Sequence, residues 1–268
     1  MKQQILTLAA GLMAASAMHA AEPFLVAHRG ASHDAPENTV PSYELAWKQG
    51  ADAIEGDFHL TKDGKIICIH DYDTARVCGT KLVVKDSTLA ELQALDAGAW
   101  FKPEFKGTKL STLREVAATV PAGKKIYVEV KIGPEIIPTM LEDLKASGLK
   151  DEQIVIISFQ ADVIAEMKKV KPAYKACWLA SFEKESPLKP SKDEVLATLR
   201  KIKADGFSSK ADERLDPEFV KAIRDGGFEY HCWTVDDAAT ARRFLDFGAL
   251  SITTNRPEFL RKALGEAH

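Results

Sequence analysis

The chain has 268 residues, of which 46% are hydrophobic, 28% charged and 8% aromatic, and its formal net charge is −3. This composition is that of an ordinary globular protein, and it excludes a disordered chain, a collagen-like repeat and a disulfide-dense mini-protein. The near-neutral charge gives no basic surface for nucleic acid. About 250 residues is the usual size of a (β/α)8 barrel, so the length fits one such barrel or two smaller domains.

Residues 1–20 have the layout of a cleavable secretory signal peptide. Lys2 precedes an apolar run from about Ile5 to Ala17, small residues follow, and the run is too short to span a bilayer comfortably. An N-terminal anchor and an ordinary helix are the alternatives. The signal peptide predicts a periplasmic or secreted protein without a membrane anchor. In that oxidising compartment a local Cys68–Cys78 disulfide and free buried thiols both stay open.

The remaining chain alternates β-branched runs with helical patterns. Strands are predicted at Phe24–Ala27, Ala53–Leu60, Lys65–Ile69, Ile126–Lys131, Ile154–Phe159, Lys175–Ala180, Gly206–Ser209, Tyr230–Val235 and Ser251–Thr254. Helices are predicted at Thr39–Gln49, Leu110–Val120, Pro134–Ala146, Ala161–Val170, Ser191–Ala204, Pro217–Asp225 and Asp237–Asp246. This alternation predicts parallel βαβ units, and no linker composition divides residues 21–268, which favours a single domain.

One short connection breaks this alternation. Only residues 61–64 separate the second and third strands, which is too few for a parallel crossover, so we expect an antiparallel hairpin with a two-residue Asp63-Gly64 turn. That turn would place His70 opposite Asp57. Eight parallel strands then remain, the number of a (β/α)8 TIM barrel, with a small insertion at about residues 72–108.

Chemically active residues follow or end several predicted strands. In a barrel, the carboxyl ends of the strands converge on one rim, where these side chains would meet. Taken singly, each fits an ordinary structural role, and it is their coincidence at strand ends that favours a site. They are His28 and Arg29 after the first strand, Glu55 and Asp57 on the second, His70 after the third, and Glu129 and Lys131 on the fourth.

This set of residue types favours metal-assisted cleavage of a phosphodiester. Three carboxylates without thiolates make a hard oxygen site, which suits Mg²⁺ or Ca²⁺ better than zinc. Arginine and lysine are suited to bind a phosphate, and two histidines supply an acid and a base near neutral pH. A divalent cation, Ca²⁺ or Mg²⁺, is therefore the expected cofactor.

The motifs resemble those of the glycerophosphodiester phosphodiesterase family. The matching segments are HRGASHDAPENTVPSYELAWKQGAD from His28, EGDFHLTKDGKIICIHD from Glu55, EVK from Glu129 and WTV from Trp233. The resemblance covers about residues 24–260. It implies a TIM barrel that hydrolyses small glycerophosphodiesters, such as glycerophosphocholine and glycerophosphoethanolamine, to sn-glycerol 3-phosphate and an alcohol.

The resemblance also implies a role for each motif residue. His28 and His70 would be the general acid and base, in an order that stays open, and the first nucleophile would be water or the substrate's own hydroxyl. Arg29 would contact the phosphate and Lys131 would assist near the metal. Glu55, Asp57 and Glu129 would hold the divalent cation.

Other positions carry weaker predictions. Asn38 is a candidate N-cap of the first helix, Glu37 a candidate support for the site, and Trp233 a candidate apolar wall for the glycerol carbons. Near the last strand the chain has Leu250 and Asn255 where the family usually has aspartate. Neither is one of the catalytic positions of the motif, so this departure would affect packing or substrate preference.

Two other functions stay open at this point. One is a related barrel phospholipase D acting on lysophospholipid or sphingomyelin, which would need an apolar site for acyl chains. The other is a cell-envelope binding protein that has lost catalysis. The oligomeric state and the choice between Ca²⁺ and Mg²⁺ are not indicated by the sequence.

Overall fold

The alternation of apolar runs with helical patterns builds a closed sheet in the computed structural model, which describes residues 23–184 and 187–265. The predicted signal peptide at residues 1–20 lies outside the described residues. The strands found within them are β1 Leu25–His28, β2 Ala53–Leu60, β3 Ile66–Cys68, β4 Lys125–Val130, β5 Ile154–Ser158, β6 Lys175–Ala180, β7 Gly206–Lys210, β8 Glu229–Trp233 and β9 Ser251–Thr254.

Eight of these strands form a parallel barrel. The order is β1-β2-β4-β5-β6-β7-β8-β9, and β9 pairs with β1, which closes the sheet. The third strand, β3, lies outside the barrel and pairs antiparallel with β2. The predicted (β/α)8 barrel with one hairpin is therefore confirmed.

Helices follow most of the barrel strands. Over the described residues they are α1 Val40–Lys48, α2 Ala75–Cys78, α3 Leu89–Gln93, α4 Leu113–Ala118, α5 Ile137–Ser147, α6 Ala161–Val170, α7 Lys192–Ile202, α8 Pro217–Asp225, α9 Ala238–Phe247 and α10 Pro257–Gly265. The side chains of Thr112, Ser191, Asp216 and Asp237 accept a backbone N–H and begin α4, α7, α8 and α9. In the part of the chain that the structure describes, no helix combines the length and apolarity needed to cross a membrane.

Three groups of apolar side chains fill the molecule. The largest lies between the barrel and its helices. A second fills the barrel interior with Val26, Ala53, Tyr127, Val155, Ile157, Cys177 and Leu179. The third packs residues 72–108 against the hairpin, and it consists of Ile67, Ile69, Val77, Val84, Leu92, Ala97 and Leu110. Residues 72–108 therefore have a small core of their own on one side of the barrel.

The hairpin register differs from the predicted one by a residue. Phe58 pairs with Cys68, and the Ile69 N–H donates to the Asp57 carbonyl at 2.9 Å, so His70 does not lie opposite Asp57. The loop has three residues, because the Thr61 N–H donates to the Lys65 carbonyl at 2.8 Å and the Thr61 hydroxyl accepts from the Lys65 N–H at 2.9 Å. A three-residue loop ending in a left-handed glycine is the next most common hairpin connection after the two-residue turn.

All four cysteines are free thiols in this structure. Cys68, Cys177 and Cys232 are buried, and Cys78 is half-buried. Burial raises the pKa of Cys78 to about 11. The sequence left open a Cys68–Cys78 disulfide and free thiols, and the structure has free thiols.

Candidate active site

The turn after β1 brings two functional side chains to the carboxyl end of the barrel. Arg29 has a φ of 55° and Gly30 a φ of 82°, both in the left-handed region. A Cβ atom on Gly30 would lie 2.2 Å from the Ser42 hydroxyl, which itself donates to the Arg29 carbonyl at 2.9 Å. Only glycine fits that position, so the turn explains why glycine follows His28 and Arg29.

Three carboxylates form a buried acidic cluster at this end of the barrel. Glu55 and Asp57 lie on β2, and Glu129 lies on the neighbouring β4 directly beside Asp57. One oxygen from each lies within 4.8 Å of the others, and the three residues are 2%, 1% and 8% exposed. The Oε2 atom of Glu55 accepts the Arg29 N–H at 3.0 Å, whereas its buried Oε1 atom has no hydrogen-bond partner among the described residues.

The electrostatics of this cluster indicate a shortage of positive charge. Burial and the neighbouring charge of Asp57 raise the pKa of Glu129 to about 7, and burial together with Asp57 and Glu129 raises that of Glu55 well above its usual range. Burial acts in the same direction on Asp57, but Arg29, Lys131 and His70 outweigh it and lower the Asp57 pKa to about 2. The unpaired oxygen and the like charges fit a cluster that could hold a metal ion.

Two cationic side chains border the acidic cluster. The Lys131 ammonium lies 2.6 Å from Glu129 Oε1 and 3.2 Å from Asp57 Oδ1. The Arg29 Nε atom lies 3.1 Å from Asp57 Oδ2. Both are less than a fifth exposed, and both line the cavity above the cluster. They are therefore placed to meet an anion that enters the barrel end.

Glu37 holds the Arg29 guanidinium from the outer side. Its Oε1 atom accepts from Arg29 at 3.0 Å and from Arg76 at 2.8 Å, and its Oε2 atom accepts from Arg76 at 2.9 Å. Arg76 belongs to α2, within the segment 72–108. That segment therefore contributes to the positioning of Arg29, which the sequence did not indicate.

Asn38 has a different role from the predicted one. The N-cap of α1 is Thr39, one residue later, and Asn38 has a φ of 60°. Its Nδ2 group donates to Asp57 Oδ2 at 2.8 Å, and its Oδ1 atom accepts from the Asp57 N–H and the Tyr43 hydroxyl at 3.2 and 3.0 Å. The N-cap prediction for Asn38 is therefore wrong. The amide instead orients a carboxylate of the acidic cluster.

The two candidate acid–base histidines have different partners. The Nδ1 atom of His28 lies 2.7 Å from the Asn255 amide oxygen, and the Nδ1 atom of His70 lies 2.7 Å from Asp71 Oδ1. Burial, aided by the charge of Arg29, lowers the pKa of His28 to about 4. In both residues the contact uses Nδ1, which leaves Nε2 as the nitrogen available to a substrate.

A cavity of about 100 Å³ brings these groups together. Trp233 and Phe159 form its apolar side, with ring centroids 5.5 Å apart and the Trp233 indole N–H donating to the Ser208 carbonyl at 3.2 Å. Asp57 lies behind the cavity wall, in contact with Arg29 and Lys131. The other seven predicted site residues all line the cavity, and they are His28, Arg29, Glu55, His70, Glu129, Lys131 and Trp233.

Phe159 was not predicted to contribute to the site, and Asn255 was predicted to affect packing or substrate preference but not catalysis. Phe159 follows β5, and Asn255 follows β9. Asn255 could have been found from barrel closure, because the last strand of a closed barrel pairs with the first and its end must lie beside His28. Phe159 carried no comparable signal, since an aromatic residue at a strand end is ordinary core composition.

A parallel barrel with carboxylates, cations and histidines gathered at its carboxyl end has the arrangement of a barrel enzyme. The sequence model of the glycerophosphoryl diester phosphodiesterase family matches residues 28–259. A glycerophosphodiester phosphodiesterase of Bacillus subtilis (strain 168) is 35% identical over 255 residues, which cover 88% of this chain and 85% of that protein. One of Caldanaerobacter subterraneus subsp. tengcongensis is 32% identical over 244 residues, covering 88% and 95%.

A solved structure agrees with this result. An Oleispira antarctica phosphodiesterase in complex with the product sn-glycerol-3-phosphate superposes with a TM-score of 0.82 at 26% identity, covering 91% of this chain and 97% of that one. The chain belongs to the glycerophosphoryl diester phosphodiesterase family. The predicted family and enzyme class are therefore confirmed.

Proposed function

We propose that the protein is an exported, metal-dependent hydrolase that cleaves glycerophosphodiesters to sn-glycerol 3-phosphate and an alcohol. The observation that carries the proposal is the shared cavity, where two carboxylates of the acidic cluster, two cationic side chains and two histidines with Nδ1 partners converge, with the third carboxylate, Asp57, directly behind them. The glycerol phosphate product bound by the Oleispira antarctica phosphodiesterase is of the same chemical class.

The acidic cluster is the proposed cation site. Glu55, Asp57 and Glu129 would hold Ca²⁺ or Mg²⁺, since both cations prefer oxygen ligands. When bound, the cation supplies positive charge that offsets the charge developing on the phosphoryl oxygens. Asn38 keeps Asp57 turned towards the cluster by its 2.8 Å hydrogen bond.

Arg29 and Lys131 are the proposed phosphate contacts. Each lines the cavity and is now paired with a carboxylate of the cluster. A cation bound by those carboxylates would compete for the same oxygens, which frees donor atoms of both side chains for the phosphate. The planar guanidinium suits a bidentate contact, and the ammonium suits a single oxygen.

His28 and His70 are the proposed base and acid. His28 contacts a neutral amide through Nδ1, so its Nε2 atom is suited to take the proton of the attacking hydroxyl as the phosphorus–oxygen bond forms. His70 contacts the Asp71 carboxylate through Nδ1, which orients the ring and leaves Nε2 for the substrate. Its Nε2–H would protonate the alcohol oxygen as the bond from phosphorus to that oxygen breaks. Water or a glycerol hydroxyl could supply the attacking oxygen.

The size of the cavity favours a small diester over an acylated lipid. Its volume of about 100 Å³ is below the 300–1,000 Å³ typical of sites for larger organic ligands. Trp233 and Phe159 offer one apolar wall, which suits the glycerol carbons. This supports glycerophosphocholine or glycerophosphoethanolamine as substrate rather than a lysophospholipid or sphingomyelin.

Export is a separate part of the proposal and rests on residues 1–20 alone. Expression of the full chain in a Gram-negative host tests it by cell fractionation and by the N-terminal mass of the recovered protein. We expect a periplasmic protein that begins near residue 21. An uncleaved protein in the cytoplasmic fraction would contradict export and leave the proposed reaction in place.

A product assay tests the reaction. The protein is incubated with glycerophosphocholine, glycerophosphoethanolamine, lysophosphatidylcholine or sphingomyelin, and sn-glycerol 3-phosphate and choline are measured separately. We expect glycerol 3-phosphate from the first two and no choline from sphingomyelin. His28→Ala and His70→Ala should each abolish hydrolysis, with exposed His33→Ala as the matched control. Choline release from sphingomyelin alone, or full activity in either site variant, would contradict the proposal.

A further inference from the structure

Asn255 links the acid–base site to a second carboxylate that is not part of the acidic cluster. Its amide oxygen lies 2.7 Å from His28 Nδ1 and also accepts from the Ser32 hydroxyl at 2.8 Å. Its amide nitrogen donates to Asp236 Oδ2 at 2.6 Å. Asn255 therefore stands between His28 and Asp236, at the junction where β9 closes the barrel against β1.

The surroundings of Asp236 determine which way the Asn255 amide faces. Asp236 Oδ1 already accepts the Asn255 backbone N–H at 2.8 Å and the Thr254 hydroxyl at 2.9 Å. The Thr254 oxygen accepts the Arg256 N–H at 3.0 Å, so its own hydrogen is free to point to Asp236. An ionised carboxylate only accepts hydrogen bonds. The group facing Asp236 must therefore be the amide NH2 of Asn255, and the amide oxygen must face His28.

The orientation of the amide in turn selects a tautomer of His28. A carbonyl oxygen only accepts, so the 2.7 Å contact requires a hydrogen on His28 Nδ1. In the neutral ring the lone pair then lies on Nε2, the nitrogen left for the substrate. Within the described residues, the Asn255 side chain hydrogen-bonds to His28, Ser32 and Asp236, and of these three only His28 lines the cavity. Asn255 would therefore act through that histidine.

We propose that Asn255, oriented by Asp236, is a positioning residue that holds His28 in the Nδ1–H tautomer. Its catalytic consequence rests on the proposed function, whereas the tautomer itself does not. The group that faces His28 Nδ1 is an amide oxygen and not a carboxylate oxygen. A neutral amide provides the hydrogen-bond acceptor without placing a negative charge against the imidazole ring. The nearest carboxylate in this chain of hydrogen bonds is Asp236, on the far side of Asn255 from His28.

The tautomer can be observed directly. The full chain, labelled with ¹⁵N-histidine and supplied with Mg²⁺, is studied by long-range ¹H–¹⁵N spectra that separate protonated from unprotonated ring nitrogens, with His28 identified from the spectrum of His28→Gln. We expect Nδ1 of His28 to carry the hydrogen in the wild type. In Asn255→Ala this preference should be lost, with kcat reduced at least tenfold and KM changed less than threefold.

A paired substitution separates positioning from packing. Asn255→Asp alone would set two carboxylates against each other, because the 2.6 Å contact to Asp236 loses its hydrogen. The double variant Asn255→Asp with Asp236→Asn restores one donor and one acceptor, so it should recover the Nδ1–H signal and most of kcat. If Asn255→Ala fails to fold, Asp236→Ala frees the amide to rotate and should weaken the same signal.

The outcomes separate this proposal from the proposed function. An unchanged Nδ1–H signal in Asn255→Ala would overturn the proposal, as would a changed tautomer with kcat within twofold of the wild type. Activity that persists in His28→Ala would instead contradict the proposed role of His28. In that case the spectra alone still decide whether Asn255 sets the tautomer.

Discussion

The pH dependence of the metal-free protein offers a quantitative test of the acidic cluster. The pKa of Glu129 is raised from an ordinary value of 4.5 to about 7, by burial and by Asp57. The folded chain therefore binds a proton at this group more tightly than the unfolded chain. This contribution to stability is fully present below pH 4.5 and is lost as the pH rises through about 7.

The size of the effect follows from the interval between the two pKa values. One pKa unit corresponds to about 1.4 kcal/mol, so Glu129 should contribute on the order of 2–3 kcal/mol less to the free energy of unfolding at pH 8 than at pH 5. Glu129→Gln removes the titrating group and should remove this share of the pH dependence. Glu142→Gln, on the exposed face of α5, is the matched control and should behave as the wild type.

Urea unfolding of EDTA-treated protein at several pH values between 5 and 8 measures this difference. A cation binds the ionised carboxylate, so cation affinity should rise with pH up to about 7. Release of one proton from Glu129 accounts for a rise of up to tenfold per pH unit, and Glu129→Gln should lose that part of the rise. If the difference in unfolding free energy between the wild type and Glu129→Gln does not change with pH, the pKa of Glu129 is not raised in the folded protein.

Three further substitutions test other parts of the site. Gly30→Ala should lower the free energy of unfolding, measured in urea, by about 2 kcal/mol or more, because its Cβ would lie 2.2 Å from the Ser42 hydroxyl. Gly64→Ala is the control, since a Cβ at that position meets no atom within 4 Å. An equal loss of stability in Gly64→Ala would contradict the prediction. Asn38→Ala should weaken cation binding 10–100-fold by calorimetry, and unchanged affinity would exclude the proposed orientation of Asp57. Trp233→Ala should raise KM about tenfold with little change in kcat, whereas Trp233→Phe should stay near wild type.

The fold was largely accessible from the sequence because its signals are local. Most barrel strands are short apolar runs followed by a helical pattern, and seven predicted helices together with eight parallel strands indicated the barrel. The helix after the last strand, α10, was not predicted. The short helices α2 and α3 were missed because residues 72–108 bury only one small cluster against the hairpin, which leaves weak periodicity. The hairpin register was also missed, since Asp63-Gly64 fits both a two-residue and a three-residue loop. The Thr61 hydroxyl that selects the longer loop acts through a side-chain contact.

The sequence predicted the site residues that belong to recognisable motifs. It did not predict the contacts between segments that are distant in sequence. His28, Glu55 and Glu129 stand at strand ends and converge as expected. Asn255 was expected to affect packing or substrate preference and not His28, because its contact with His28 spans 227 residues and exists only once the barrel closes. Arg76 was not considered, because its bond to Glu37 depends on how residues 72–108 fold back. Neither contact leaves a periodic or compositional signal.

Metal-dependent hydrolysis is tested by measuring release of sn-glycerol 3-phosphate from glycerophosphocholine before and after removal of divalent cations. We expect that dialysis against EDTA abolishes release, that Ca²⁺ or Mg²⁺ restores it in the wild type, and that neither cation restores it in Glu55→Ala. The exposed-site variant Glu142→Gln should respond as the wild type does. Full activity after EDTA dialysis, or in Glu55→Ala, would contradict the account.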